Sequence, residues 1–169
     1  RTLALDLDAP QWVSTGLYAA PGENISITVP LALTTGAYRI QIGCHSDLNW
    51  HHDAWKRHPQ IVTSATIKQP ITTLSSPFGG LIYVVADRRY SKDPVNVTVK
   101  GGVMSSRFIL GTTTNETWIS ECEKSGAPWA ELQGKHLILS VPLSEAKKVP
   151  DPKKLIKLWD TIMDAYSEL

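Results

Sequence analysis

The feature that most constrains this chain is a series of short segments in which apolar and polar residues alternate, each cut off by a turn residue. Ile25-Ser26-Ile27-Thr28-Val29 alternates and stops at Pro30, and Tyr38-Arg39-Ile40-Gln41-Ile42 alternates and stops at Gly43. A period of two places every second side chain on one face, the pattern of a half-buried strand. Val95, Val97 and Val99 point one way against Asn96, Thr98 and Lys100. Gly80 to Ala86 is instead a continuous apolar run, which suits a central strand covered on both faces. Further strands are expected over Met104 to Leu110, His136 to Val141, Ile61 to Ile67 and Ile71 to Ser75. So many short strands predict a mainly β protein, a β-sandwich of short antiparallel strands.

Two helices break the pattern. Thr113 followed by Glu116 reads as a capping box, which starts a short internal helix that Gly126 and Pro128 end, with Trp118, Ile119 and Cys122 toward the sheet. At the C-terminus, Asp151 caps a helix with Pro152 at its first position, and Leu155, Leu158, Trp159, Ile162, Met163 and Tyr166 follow at helical spacing. The charges on this amphipathic helix oppose its dipole, with Lys153, Lys154 and Lys157 near the positive end and Asp160, Asp164 and Glu168 near the negative end. Neighbouring structure is expected to compensate. The division expected is a sandwich domain over 1–150 and the helix over 151–169. Arg1 opens the chain without a Met or an apolar leader, so a processed or excised piece of a longer protein is expected.

A length of 169 residues, 42% hydrophobic and 20% charged, supports a folded core rather than disorder. The formal net charge of +1 supplies no field to attract phosphate backbones, so nucleic acid is not an expected partner. The run Leu81-Ile82-Tyr83-Val84-Val85-Ala86 is far shorter than the roughly 20 residues of a membrane helix, so no membrane span is expected.

Cys44 and Cys122 are too widely spaced for a metal knuckle; they either form one bridge, worth about 4 kcal/mol in a chain-entropy model, or remain two free thiols. Asn24, Asn96 and Asn115 each head an N-x-[ST] sequon and are candidate glycosylation sites.

A catalytic H-E-x-x-H zinc site needs two imidazoles one helical turn apart and a glutamate beside the first. None of the five histidines, His45, His51, His52, His58 and His136, has a glutamate within two positions. No nucleophile elbow, phosphate loop or dinucleotide fingerprint occurs either. No catalytic residue, metal ligand or cofactor is therefore expected in these residues.

The densest chemistry lies between Cys44 and His58. Trp50 and Trp55 offer flat faces to a sugar ring, and Asp47, Asn49 and Arg57 offer hydrogen bonds to its hydroxyls. The competing expectation is that the two tryptophans pin a long loop onto the sandwich edge, with their indole N–H groups partnered. A nucleophilic Cys44 beside His45 is not expected, because sequence neighbours on a strand diverge.

Six segments, in order, resemble the front half of the enhancin-like, mucin-degrading zinc metallopeptidase domain family. They are Gln11-Trp12-Val13-Ser14-Thr15-Gly16-Leu17-Tyr18, Ile40-Gln41-Ile42-Gly43-Cys44-His45, Ser76-Pro77-Phe78-Gly79-Gly80-Leu81-Ile82-Tyr83, Val97-Thr98-Val99-Lys100-Gly101, Ala127-Pro128-Trp129-Ala130-Glu131-Leu132 and Leu158-Trp159-Asp160-Thr161-Ile162-Met163-Asp164. The resemblance implies a β-sandwich ahead of a gluzincin domain, with the last helix leading into it. It implies zinc in that downstream catalytic domain, a mucin-type or other glycoprotein substrate, and a secreted or cell-surface location. Channel-associated factors share the same front half. The expected function is thus a non-catalytic accessory module of such a peptidase. The alternatives are a carbohydrate-binding module and a protein-interaction domain like that of the channel-associated factors.

Overall fold

The computed structural model describes residues 1–8, 11–90 and 93–167. In chain order the strands are β1 (Thr2–Leu5), β2 (Gln11–Ala19), β3 (Ile25–Thr28), β4 (Tyr38–Ile42), β5 (Thr63–Thr66), β6 (Ile71–Leu74), β7 (Gly80–Ala86), β8 (Val95–Lys100), β9 (Val103–Met104) and β10 (Ser106–Ile109). Helix α1 (Asn115–Lys124), strands β11 (Trp129–Gln133) and β12 (Ile138–Pro142), and helices α2 (Leu143–Ala146) and α3 (Pro152–Ser167) complete the chain. Two compact units result, Arg1–Val103 and Met104–Leu169. Among the described residues no helix is long and apolar enough to cross a membrane.

The first unit is a β-sandwich. One sheet has the order β1-β8-β3-β6 and the other β5-β4-β7-β2-β9. Alternation decides which face of each strand is dry. Val95, Val97 and Val99 of β8, Ile25 and Ile27 of β3, and Leu74 of β6 meet Ile40 and Ile42 of β4, Ile82 and Val84 of β7, and Leu17 of β2 in one core. Each fully buried Val or Ile stabilises the fold by roughly 1.5–3 kcal/mol relative to an exposed one. β7 lies between β4 and β2, and all of Leu81 to Ala86 is buried, as a central strand requires.

β1, β2 and β11 lack a clear sequence signal, and in β2 the reason is visible. Its register against β7 shifts between Ser14 and Tyr18, with Gly16 at φ 68°. A bulge inserts residues that break the period of two. Thr15, buried in the bulge, donates its hydroxyl to the Ile82 carbonyl at 2.8 Å, which makes a polar residue tolerable inside a strand.

The second unit adds one parallel pairing to the expected antiparallel strands. β11 pairs antiparallel with β12 but parallel with β10. A parallel pair needs a crossover connection, and the segment carrying α1 supplies it. Phe108, Trp118, Cys122, Ala130, Leu132, Ala146 and Ile156 form the core, with Phe108 and Trp118 edge to face at 6.1 Å. The expected strand over Met104 to Leu110 is two strands, β9 and β10, separated at Ser105. His136 precedes β12 rather than joining it.

Helix α1 begins one residue later than expected. Thr114, not Thr113, is its cap and accepts from the Thr117 amide at 3.2 Å, while the Thr113 hydroxyl accepts from the Ile109 amide at 3.0 Å. Trp118 and Cys122, four residues apart, share the buried line; Ile119 lies off it and is exposed.

In α3 the Asp151 carboxylate accepts from the Lys154 amide at 2.9 Å, as a cap should. The buried row is Pro152, Ile156 and Asp160. Leu158, Trp159, Ile162, Met163 and Tyr166 are exposed, and Glu168 lies outside the described residues. Asp160 takes the Lys135 amide at 2.9 Å and the His136 amide at 3.2 Å. One turn on, Asp164 receives His136 Nε2 at 2.7 Å and Lys135 Nζ at 3.1 Å. Those two bonds hold the Asp164 carboxyl below the usual carboxylate range, the lysine contributing first.

Candidate functional site

The segment between β4 and β5 folds on itself without strand pairing. Gly43 leaves β4 at φ 101° and donates its amide to the Leu81 carbonyl at 2.8 Å, which ends the strand and releases the loop. Asp47 and Arg57 then close it as an ion pair, and the Asn49 amide donates to the Pro59 carbonyl at 3.0 Å beside them. Asn49 also donates its side-chain amide to Asp47 Oδ2 at 3.0 Å, and Arg57 Nη1 reaches the His58 carbonyl at 3.1 Å. One carboxylate thus organises both arms. Asp47 is held below the usual carboxylate range, first by the Asn49 bond and also by its own backbone amide, Arg57 and His45.

Beyond this clasp the tip presents aromatic rings. Trp50 and Trp55 meet edge to face, centroids 5.2 Å apart and planes at 86°. Trp50 also stands edge to face with His58 at 5.7 Å, and His58 lies 5.1 Å from Phe78. His58 Nδ1 is fixed against Gln60, 2.7 Å from its carbonyl. Trp50 is 54% exposed and Trp55 53%. The expectation that the tryptophans pin the loop to the sandwich is therefore corrected: they pack on each other, and the contact to Phe78 runs through His58. Of the expected residues, Asp47, Asn49 and Arg57 come together in the clasp, and Trp50 and Trp55 in the aromatic pair. His58, the end of the dense stretch that begins at Cys44, joins Trp50 by a ring contact, and Phe78 joins His58 without sequence signal because it arrives from the turn before β7.

Cys44 and Cys122 lie one in each compact unit, and neither is in a disulfide. Burial raises the Cys122 thiol pKa above its usual value, which keeps it protonated. Cys44 Sγ lies 3.4 Å from His45 Nδ1, contrary to the expected divergence, because both residues lie past the end of β4, where strand alternation no longer separates neighbours. Asn24, Asn96 and Asn115 are exposed. His51 and His52 stack at 4.1 Å, yet among the described residues no three His, Cys, Asp or Glu side chains converge to hold a metal ion.

Residues 1–100 match the family described as the N-terminal domain of M60-like peptidases, and residues 101–169 match the family of peptidase M60, enhancin and enhancin-like proteins. TRPM8 channel-associated factor 3 of Rattus norvegicus is 37% identical over 158 residues, which are 94% of this chain and 17% of that protein. TRPM8 channel-associated factor 2 of Homo sapiens is 34% identical, with the same coverage. The chain therefore spans about a sixth of these relatives' length. Among solved structures, the ZmpB metallopeptidase from Clostridium perfringens superposes with a TM-score of 0.73 at 18% identity, over 98% of this chain and 40% of that one. A functionally unknown conserved protein from Bacillus anthracis gives 0.71 at 24% identity, over 97% and 35%. These two likenesses concern the fold.

Proposed function

This chain belongs to the M60-like peptidase family, and from that premise we propose that it is the non-catalytic accessory module of an enhancin-like zinc metallopeptidase acting on glycoproteins. In this reading residues 1–150, the β-sandwich and the strands and helices that follow it, orient substrate, and the helix over 151–169 leads into a downstream gluzincin domain that holds the zinc. The protein works outside the cell, secreted or at the cell surface.

The observation that carries the reading is the uncovered side of α3. Leu155, Trp159, Ile162 and Tyr166 follow at alternating intervals of four, three and four, the spacing of a helix–helix seam. Their neighbour Leu158 is 57% exposed and Tyr166 72%. A helix whose own unit buries only the Pro152, Ile156 and Asp160 row has a second apolar row to give to another domain. The chemistry agrees. Peptide hydrolysis by zinc needs paired imidazoles and a carboxylate-activated water, and the histidines here have no such arrangement. The zinc of the family does not fit the described residues.

Tryptophan fluorescence tests the seam. In a protein extended past Leu169, Trp159 emission shifts to the blue and resists a soluble quencher, relative to the 169-residue chain. Equal emission and equal quenching in the two would contradict docking through α3.

A second reading is a protein-interaction domain, favoured by the 37% identity to a TRPM8 channel-associated factor. A pull-down that retains a membrane protein regardless of glycosidase treatment supports it over the first.

A further inference from the structure

We propose that Asn24 and Asn96 are acceptor sites for N-linked glycans, which together cover the outer face of the sheet β1-β8-β3-β6. The inference rests on the location outside the cell proposed above, because the secretory route supplies the glycan donor.

The backbone decides where each sequon points. In a strand, residues two apart share a face. In Asn96-Val97-Thr98 the middle residue is buried in the core, so Asn96 and Thr98 both point outward from β8. Asn24-Ile25-Ser26 runs into β3 with the same alternation: Ile25 is buried in the core and Asn24 is exposed. Each acceptor amide thus stands in water on the face that also carries the hydroxyl two positions on, the pair that defines the acceptor. The face has room for what is attached. Asn96 lies opposite Ala4 of β1 in register, a neighbour with a single methyl group. Ser26 lies opposite Lys100, so Asn24 and Asn96 stand roughly 20 Å apart along the strands, at a rise of about 3.3 Å per residue. Two glycans therefore do not collide at their roots. The surface beneath them also suits carbohydrate. Thr2, Ser26, Thr28, Thr73 and Thr98 make up most of it, and of the described residues in the four strands Lys100 alone is charged. Hydroxyl side chains donate to and accept from sugar hydroxyls alike. In the transfer, the Asn side-chain nitrogen displaces the diphosphate of a lipid-linked oligosaccharide at its anomeric carbon. A C–N bond forms, the C–O bond to the diphosphate breaks, the amide gives up one proton, and the lipid diphosphate leaves, with no net oxidation or reduction. A sheet face that carries two glycans is closed to a docking protein.

The test expresses the 169-residue chain behind a secretory signal peptide in cultured animal cells, with Asn115→Gln throughout so that only the two sheet positions are read. Secreted and cell-retained protein are both treated with peptide N-glycosidase in heavy-oxygen water, and peptide mass spectrometry scores each asparagine for conversion to labelled aspartate. Asn24 and Asn96 are both converted, and Asn24→Gln and Asn96→Gln each remove one step of gel mobility. The glycosylated chain is secreted as well as the Asn24→Gln/Asn96→Gln chain, because both glycans project into solvent. The proposal is overturned if either asparagine stays unmodified, or if the glycosylated chain is retained in the cell while the double variant is secreted. Because the added signal peptide supplies the compartment, unmodified asparagines count against the sites themselves; modified ones, combined with an intracellular location of the natural protein, count against the extracellular reading alone.

Discussion

A carboxylate tucked under a helix costs free energy unless its oxygens are taken up, and Asp160 meets that demand with backbone amides. It is 8% exposed and accepts from Lys135 and His136, so it caps the turn between β11 and β12 and fastens α3 to it. Asp160→Ala leaves both amides without that acceptor and should cost about 2–3 kcal/mol in urea denaturation. A Cβ on Gly134 would stand 2.5 Å from Asp160 Oδ1 and 2.8 Å from Ile156. Gly134→Ala should therefore destabilise the unit by about 1–3 kcal/mol, by forcing the carboxylate off its amides. The thiols should separate by reactivity: native protein is alkylated at partly exposed Cys44, whereas buried Cys122, its pKa raised, reacts only after unfolding. Of these features the sequence shows the cysteines and the cap at Asp151. Asp160 reads there only as a charge near the helix end, because its partners lie distant in sequence.

Strands announce themselves where one face is dry and the other wet. β3, β4 and β8 are legible residue by residue for that reason, and β7 by its unbroken apolar run. β2 is hidden by its bulge. β11 is hidden because its buried residues include Glu131. The candidate site is half legible: sequence proximity collects Trp50, Trp55, Asp47, Asn49 and Arg57, but not the ring contacts of His58 and Phe78. The loop has its own pH signature. Asp47 is acidic beyond its ordinary range in the fold, so its contribution is complete above the usual carboxylate pKa and fades as pH falls through the lowered one. Acid should therefore loosen the loop before the sandwich, seen as broadened Trp50 and Trp55 indole signals beside unchanged core methyl signals. Asp47→Asn should show that broadened loop already at neutral pH.

At the scale of the whole molecule, a β-sandwich unit and a second unit each have a core of their own, and among the described residues no three His, Cys, Asp or Glu side chains converge to hold a metal ion. The uncovered row of α3 and the length of the relatives support a part that works beside a larger partner domain. The most direct test compares the 169-residue chain with a protein extended past Leu169, measuring bound zinc per mole and cleavage of a mucin by each. The account predicts neither zinc nor cleavage for the short chain and both for the extended one; one zinc per chain together with turnover by the 169 residues alone would contradict it.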